Sequence, residues 1–321
     1  MTESLVNEPL VGSLRDLEFR LGIKRAEIVE LLDERPRLYR PFPAHKKPHP
    51  YPGPKRLAES LKPPKIRQID NPVTQLKVIQ RRILKRVLSE VVLPKYMFGA
   101  VSGKTTALNA AEHIRNERAT LVCMDISSFY PSVTSQHIYR VWNTVLQCPP
   151  KIASLLTKLT TFQFRLPQGA PTSPTLANIF LASIFAPVCS ECEGLGLVIS
   201  TWIDDIHFSG QNARQLIETV RATLAANGLK SAAQKLRIEG PRDEKVVTGV
   251  RIGRTRTRAP HAVVSDIRAA IHRLAVNKVP PEDQVHYRAN LAGRLGYLGS
   301  VDARAAASLR DYAKRLKVRL K

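Results

Sequence analysis

Residues 197–210 read Leu-Val-Ile-Ser-Thr-Trp-Ile-Asp-Asp-Ile-His-Phe-Ser-Gly, and this stretch decides the fold. Two strand-like runs, Leu197–Ile203 and Ile206–Ser209, meet at Asp204-Asp205, the pattern of a β-hairpin with an acidic tip. Adjacent carboxylates raise each other's pKa, so the tip is costly unless a cation is near. One acidic turn alone says little, because loops are full of them. A second run changes the odds: Ala119-Thr-Leu-Val-Cys-Met124 is continuously apolar, reads as a buried strand and ends at Asp125. With the two elements side by side in one sheet, Asp125, Asp204 and Asp205 would converge on one point. A two-metal site requires that, and hard carboxylate oxygens suit Mg²⁺.

The flanking residues extend the same chemistry. After Asp125 the chain continues Ile-Ser-Ser-Phe-Tyr130, a turn whose backbone N–H groups at Ser127, Ser128 and Phe129 are expected to face a triphosphate. Tyr130 is placed to lay its ring against the sugar 2′ position, where a hydroxyl would clash, which selects deoxynucleotides. Leu166-Pro-Gln168-Gly169 precedes Ser173-Pro174, a helix start with Ser173 as N-cap. That helix is expected to run to about Ala186 and stop at Pro187. Gly169 permits close approach of nucleotide or template, and Arg67 is a candidate for the β/γ phosphates. Gly99-Ala-Val-Ser-Gly103-Lys104-Thr105 only imitates a phosphate-binding P-loop, being one residue too short between its glycines.

Charge agrees with a polyanionic partner. The chain has 321 residues, 50 Lys plus Arg against 27 Asp plus Glu, and a net charge of +23. Residues 1–120 carry +10, 121–210 carry −1, 211–250 carry +3 and 251–321 carry +11. Two basic ends therefore flank a slightly acidic centre, as in a machine that grips nucleic acid from two sides and needs carboxylates between them. The longest apolar stretch, around Leu176–Val188, is too short to span a membrane, and no membrane partner is expected. The N-terminus lacks a secretory layout. Cys123, Cys148, Cys189 and Cys192 form no disulfide framework; Cys189 and Cys192 have half of a zinc spacing without the other half. Buried thiols in a cytoplasmic chain are the expectation.

Along the chain, Ser13-Leu-Arg-Asp16 has capping-box spacing, and a short helical pair is expected over roughly 13–34. Residues 36–64 hold nine of the 23 prolines, an extended connector rather than a core element. Leu76, Ile79, Ile83, Val87 and Leu88 mark an amphipathic helix interleaved with Arg81, Arg82, Lys85 and Arg86. Three basic helical patterns follow Ser265, Pro281 and Asp302.

The runs Met124–Val133, Leu166–Ile179 and Thr201–Gly210, in that order, resemble the three central palm motifs of reverse transcriptases, and Lys65-Ile-Arg67-Gln-Ile is similar to the fingers motif before them. Asn109-Ala-Ala-Glu-His113 and Val247-Thr248-Gly249 are similar to the NAxxH and VTG elements of bacterial retron reverse transcriptases. The resemblance covers about residues 55–321. It implies an α+β right-hand polymerase: an N-terminal helical segment over 1–35, fingers with the proline-rich connector over 36–118, an antiparallel palm over 119–255 and a helical, basic thumb over 256–321. It further implies Mg²⁺-dependent synthesis of DNA from dNTPs on the chain's own structured non-coding RNA. A guanosine 2′-hydroxyl of that RNA primes, and the product is branched msDNA. An effector or toxin protein and anti-phage defence in a bacterial cytoplasm accompany many such enzymes.

By the same resemblance Asp125, Asp204 and Asp205 are the catalytic carboxylates and metal ligands, with Ile126 beside them in the metal set. Arg67, Ser128, Phe129, Tyr130, Gln168, Gly169 and Lys235 are expected at the nucleotide, Lys235 near the pyrophosphate leaving group. Asn109, His113, Val247, Thr248, Gly249, Arg251, Arg254 and Arg256 are expected to hold RNA, with a fingers–palm junction as the other role for Asn109 and His113. One departure is plain: Trp202-Ile203 stands where the family usually has Tyr-Ala, so the seat of the template–primer end is expected to differ. Alternatives are another bacterial reverse transcriptase, group II intron-like or abortive-infection type, and a catalytically silent RNA-binding protein on a polymerase scaffold.

Overall fold

The computed structural model describes residues 5–33, 37–45 and 66–319. The expected helical pair forms as α1 (Leu14–Leu21) and α2 (Arg25–Asp33). Ser13 caps α1 by accepting from the Asp16 N–H, and Gly22, left-handed at φ +61°, ends it. These helices are no separate appendage, because Leu10, Val11, Leu17, Leu21, Ile28 and Leu31 belong to the same buried cluster as the centre of the molecule.

Part of the proline-rich connector is a strand. β1 (Tyr39–His45) pairs antiparallel with β2 (Ile66–Pro72), so two of its prolines, Pro41 and Pro43, sit in a two-stranded ribbon, where strands have a free edge. The rest of the connector, residues 46–64, and Lys65 lie outside the described residues. The amphipathic helix is α3 (Thr74–Arg86), and it buries Leu76, Ile79, Gln80 and Ile83. Its basic face is only partly open to solvent. Arg82 donates to the Leu21 carbonyl at 2.7 Å and Arg86 to the Arg20 carbonyl at 3.0 Å. Those two cations finish the last turn of α1, where orphan carbonyls need donors.

The chain continues through α4 (Thr106–Ala111), β3 (Thr120–Asp125), α5 (Phe129–Ser132), α6 (Ser135–Arg140), α7 (Pro150–Thr160), α8 (Ser173–Ile184) and α9 (Ala186–Gly194). Then come the hairpin β4 (Val198–Trp202) and β5 (Asp205–Gly210), α10 (Leu216–Ala226) and β6 (Arg237–Glu239). Two expectations about α8 shift by a residue or more. Its N-cap is Thr172, with no side-chain cap, and Ser173 is already helical. Pro187 does not stop the chain's helicity; it occupies the first turn of α9, where proline fits. Among the described residues no single helix is long and apolar enough to cross a membrane; α8 and α9 pass that test only as a pair bent by 60°.

The palm sheet is antiparallel, in the order β4-β5-β3-β6. Period-two alternation sorts its faces. Val122, Met124, Ile206 and Phe208 enter the main core, while Cys123, Asp125, Asp205 and His207 share the other face by register. A fully buried side chain of this size contributes roughly 1.5–3 kcal/mol, so a one-residue slip of β3 would exchange core and site together. A small sheet, β7 (Val246–Val247), β8 (Val250–Ile252) and β9 (Thr257–Arg258), follows. The helices α11 (His261–Ala275), α12 (Gln284–Val301) and α13 (Ala303–Arg315) close the chain. They build their own core, from Ala259 to Ala313. The β8–β9 ladder spans residue 255, and the core of the closing helices starts at Ala259. A third cluster joins Ala110, Leu121, Cys123, Val247, Val250, Ile252 and Val301, and so seats the thumb on the palm.

Candidate active site

The three carboxylates arrive by backbone register. Asp125, the last residue of β3, is paired with Asp205, the first of β5, and Asp204 precedes it in the two-residue turn from Trp202. The Ile126 N–H donates to the Asp204 carbonyl at 2.9 Å, and Ala232 N–H to the Asp125 carbonyl at 2.7 Å, so both ends of the site are pinned through the main chain. Ile126 is buried.

Electrostatics make this a strained anionic nest. Burial, then the charges of Asp204 and Asp125, push the Asp205 carboxyl up to about 7. Burial also raises Asp204, which Lys235 and Arg67 draw back down. Lys235 Nζ lies 2.5 Å from Asp125 Oδ2, a single ammonium among three carboxyl groups. Asp125 Oδ1 is buried with no hydrogen-bond partner. An orphaned carboxylate oxygen, a cluster only partly compensated by Lys235 and hard oxygen donors together fit divalent metal ions. Among the described residues no three His, Cys, Asp or Glu side chains are grouped closely enough to hold one ion, so the pair Asp125 and Asp205, joined by register, is the part of the expected set that the sheet brings together.

A cleft of about 500 Å³ lies over this face, lined among others by Asp125, Asp205, Trp202, Gln234, Lys235, Thr248 and Gly249. Ser128 takes a left-handed conformation (φ +47°) ahead of α5 and Phe129 is buried. Of the three N–H groups expected to face a triphosphate, that of Ser127 is already given to the Lys230 carbonyl at 2.8 Å. Burial, then the Asp204 charge, pushes the Tyr130 phenol up to about 12. The Gln168–Gly169 loop is clamped to the fingers ribbon: Asp70 N–H donates to the Gln168 carbonyl at 2.8 Å. Gly169 is at φ +120°, and a Cβ there would stand 2.9 Å from the Ile69 side chain. Arg67 projects from the same ribbon and is exposed.

Asn109 and His113 are wholly buried, which rules out a direct RNA contact and leaves the junction role. Asn109 Nδ2 donates to Thr248 Oγ1 at 3.3 Å, linking the NAxxH element to the VTG turn. His113 bridges the two strands of the acidic hairpin, Nδ1 to Ser209 Oγ at 2.8 Å and Nε2 to Ser200 Oγ at 2.9 Å. Burial holds its pKa down to about 4. Val247 is buried, so within VTG only Thr248 and Gly249 reach the cleft. Arg251 lies 3.4 Å from Glu244 and 2.9 Å from the His261 ring, whereas Arg254 and Arg256 are exposed. Sequence reading missed Thr106, Gln234 and Arg237 of the cleft lining. Their residue types carry no signal apart from the fold. The P-loop imitation is confirmed as such: Lys104 Nζ donates to the Lys95 and Met97 carbonyls.

An acidic hairpin on an antiparallel palm, with a ribbon clamped over it and a helical unit beyond, defines a right-hand polymerase. Residues 46–252 match the reverse transcriptase (RNA-dependent DNA polymerase) family, and the chain belongs to that family. Its relatives are of the bacterial retron type. It is 27% identical to the retron Ec86 reverse transcriptase of Escherichia coli, over 78% of this chain and 77% of that one. It is 28% identical to the retron Se72 enzyme of Salmonella heidelberg, over 71% and 56%. The retron Mx65 enzyme of Myxococcus xanthus is also 28% identical, over 76% and 60%; of these last two, the match spans less than two thirds. A solved telomerase chain from Candida tropicalis aligns at 10% identity and a TM-score of 0.44, over 61% of this chain and 53% of that one.

Proposed function

We propose that this chain copies a bound, structured non-coding RNA of its own into DNA, priming from a guanosine 2′-hydroxyl of that RNA to give branched msDNA. The observation that carries the catalytic reading is the register pairing of Asp125 with Asp205 beside an orphaned Asp125 oxygen. Asp125, Asp204 and Asp205, with Ile126 adjacent, would hold two Mg²⁺ ions. Those ions, when bound, supply charge stabilisation for the attacking hydroxyl and the transferring phosphoryl group.

The protein's own groups do the rest. Tyr130 presents a ring where a ribonucleotide 2′-hydroxyl would sit, so the pocket favours dNTPs. Gln168, Gly169, Ser128 and Phe129 shape the nucleotide site. Arg67 reaches the phosphates from the fingers. Lys235, already on Asp125, is placed to neutralise the departing pyrophosphate once its carboxylate partner is otherwise engaged. Thr248 and Gly249 on the cleft wall and the exposed Arg254 and Arg256 hold RNA, backed by Val247, Arg251, Asn109 and His113. An effector or toxin partner, anti-phage defence and a bacterial cytoplasmic setting belong to the same reading, by kinship with retron enzymes.

The test is purification with bound nucleic acid, followed by separate RNase and DNase treatment and a dNTP incorporation assay with and without Mg²⁺. We expect a DNA strand joined to RNA and Mg²⁺-dependent incorporation. An RNase-sensitive, DNase-resistant preparation with no incorporation would sink the enzymatic reading. Linear DNA without a branch would remove the retron priming alone.

A further inference from the structure

Asp204 and Asp205 hang on a turn whose first residue, Ile203, is β-branched and left-handed (φ +59°). Such a conformation costs on the order of 1–3 kcal/mol and persists only where its surroundings over-determine it. The surroundings are the segment Lys95–Gly99. Thr201 N–H donates to the Tyr96 carbonyl at 2.8 Å and Phe98 N–H to the Thr201 carbonyl at 2.9 Å, so this segment runs parallel to β4 along its outer edge. Gly99 then passes directly beneath the turn. A Cβ on Gly99 would lie 2.6 Å from the Ile203 nitrogen, 2.8 Å from its Cγ1 and 2.9 Å from the Trp202 carbonyl carbon. Its φ is not left-handed, so space is what position 99 demands of its residue.

The segment is itself held from two sides. Asn178 Nδ2, buried on α8, donates to the Gly99 carbonyl at 2.8 Å. Lys104 spans the bend, donating to the Lys95 and Met97 carbonyls, with its ammonium 4.4 Å from the centre of the Phe98 ring. Ile203 is absent from the cleft lining whereas Trp202 is part of it. Ile203 Cγ1 packs over the space that a Cβ on Gly99 would fill.

We propose that Lys95–Gly99 is a brace that sets where the Asp204 and Asp205 carboxylates stand, with Gly99, Asn178 and Lys104 as positioning residues. The proposal rests on the polymerase reading above. A misplacement of about 1 Å at a reacting centre is enough to cost up to about a hundredfold in rate, so the brace acts on kcat rather than on substrate binding.

The experiment compares Gly99→Ala and Lys104→Met with wild type, using the full chain with its co-purified RNA. Four quantities are read: steady-state dNTP incorporation, tryptophan emission, melting temperature and RNA retention. The chain has two tryptophans, and Trp142 is fully buried, so a change in emission reports on Trp202 beside the turn. For Gly99→Ala we expect kcat to fall about tenfold or more with KM for dNTP nearly unchanged and shifted emission. For Lys104→Met, which keeps the aliphatic stem and loses the donors, we expect a fall of about threefold and a smaller shift in the same direction. If Gly99→Ala loses melting temperature and RNA in step with kcat, Lys104→Met decides. A folded Lys104→Met with wild-type kcat and unshifted emission overturns the brace. Wild-type protein without incorporation would count against the polymerase reading instead, while the emission arm still tests the brace.

Discussion

Two hairpin turns face the same cleft, and each begins on a β-branched residue in the left-handed region: Ile203 at φ +59° and Thr248 at φ +47°. Either would be an outlier in an ordinary loop. They differ in how they are held. The Ile203 turn is confined by contact, with Gly99 beneath it and main-chain hydrogen bonds around it. The Thr248 turn is tethered by its hydroxyl, which accepts from Asn109 Nδ2 and donates to the Thr106 carbonyl, and is followed by Gly249 at φ +77°. Contact restraint suits carboxylates that must not drift. A hydroxyl tether suits a turn that meets a flexible polyanion, because hydrogen bonds can be re-made as the ligand seats.

The largest way to break this comparison is at the carboxylates. Asp204→Asn with Asp205→Asn should lower dNTP incorporation by about a thousandfold or more while RNA stays bound. Simultaneous loss of RNA would mean that the pair is structural. Next in size is acid stability. His113, pinned between the strands of the catalytic hairpin, has its pKa held down to about 4 by burial, against about 6.5 when unfolded. Both states are neutral above pH 6.5, so nothing changes there. As pH falls from 6.5 toward 4 only the unfolded chain takes up the His113 proton, so His113 should contribute a loss of roughly 3 kcal/mol; buried His207, held down to about 3, adds to that loss and Asp205, raised to about 7, opposes it. Denaturant titration across that window checks it, and His113→Gln should flatten the slope.

Smaller effects separate the turns directly. Ile203→Gly relieves left-handed strain at a similar entropic cost, so the melting temperature should hardly move while incorporation falls roughly tenfold. Thr248→Val keeps the shape and removes the hydroxyl, leaving Asn109 Nδ2 buried without its acceptor. That should cost about 1–3 kcal/mol and weaken RNA retention. The smallest expected effect is on salt dependence. Arg254→Gln should reduce the slope of log affinity against log salt by roughly one. Arg82→Gln should leave that slope alone, since Arg82 is spent on the carbonyls of α1.

The contrast also shows what a sequence can disclose. The acidic hairpin, the strand ending at Asp125 and the start of the Ser173 helix were legible because alternation and turn chemistry are local. The β1–β2 ribbon was not, since its partners are joined through residues rich in proline and its pairing is non-local. The arginines of α3 read as a basic face, yet Arg82 and Arg86 serve protein carbonyls, acceptors that every residue carries and no residue type announces. Asn109 and His113 were legible as a motif with two roles open, RNA contact or junction, and only the fold, which buries both and gives each a partner, decides between them. Gly99 sat inside a misleading glycine pattern, and its space requirement exists only once the hairpin is beside it.

The short element between fingers and palm has one more consequence. Asn109 reaches the VTG turn and His113 reaches the catalytic hairpin, four residues later along α4 and its C-terminal extension. The gap of three residues in the motif is therefore a gauge length. Inserting one residue between them would turn His113 by about 100° around the axis, so the two anchor points could not be met at once. Substitutions at Ala111 and Glu112 can be tolerated where a change of length cannot, whereas Ala110 is held small by the cluster around it, and kin of this chain should vary at those two positions in letters but not in number.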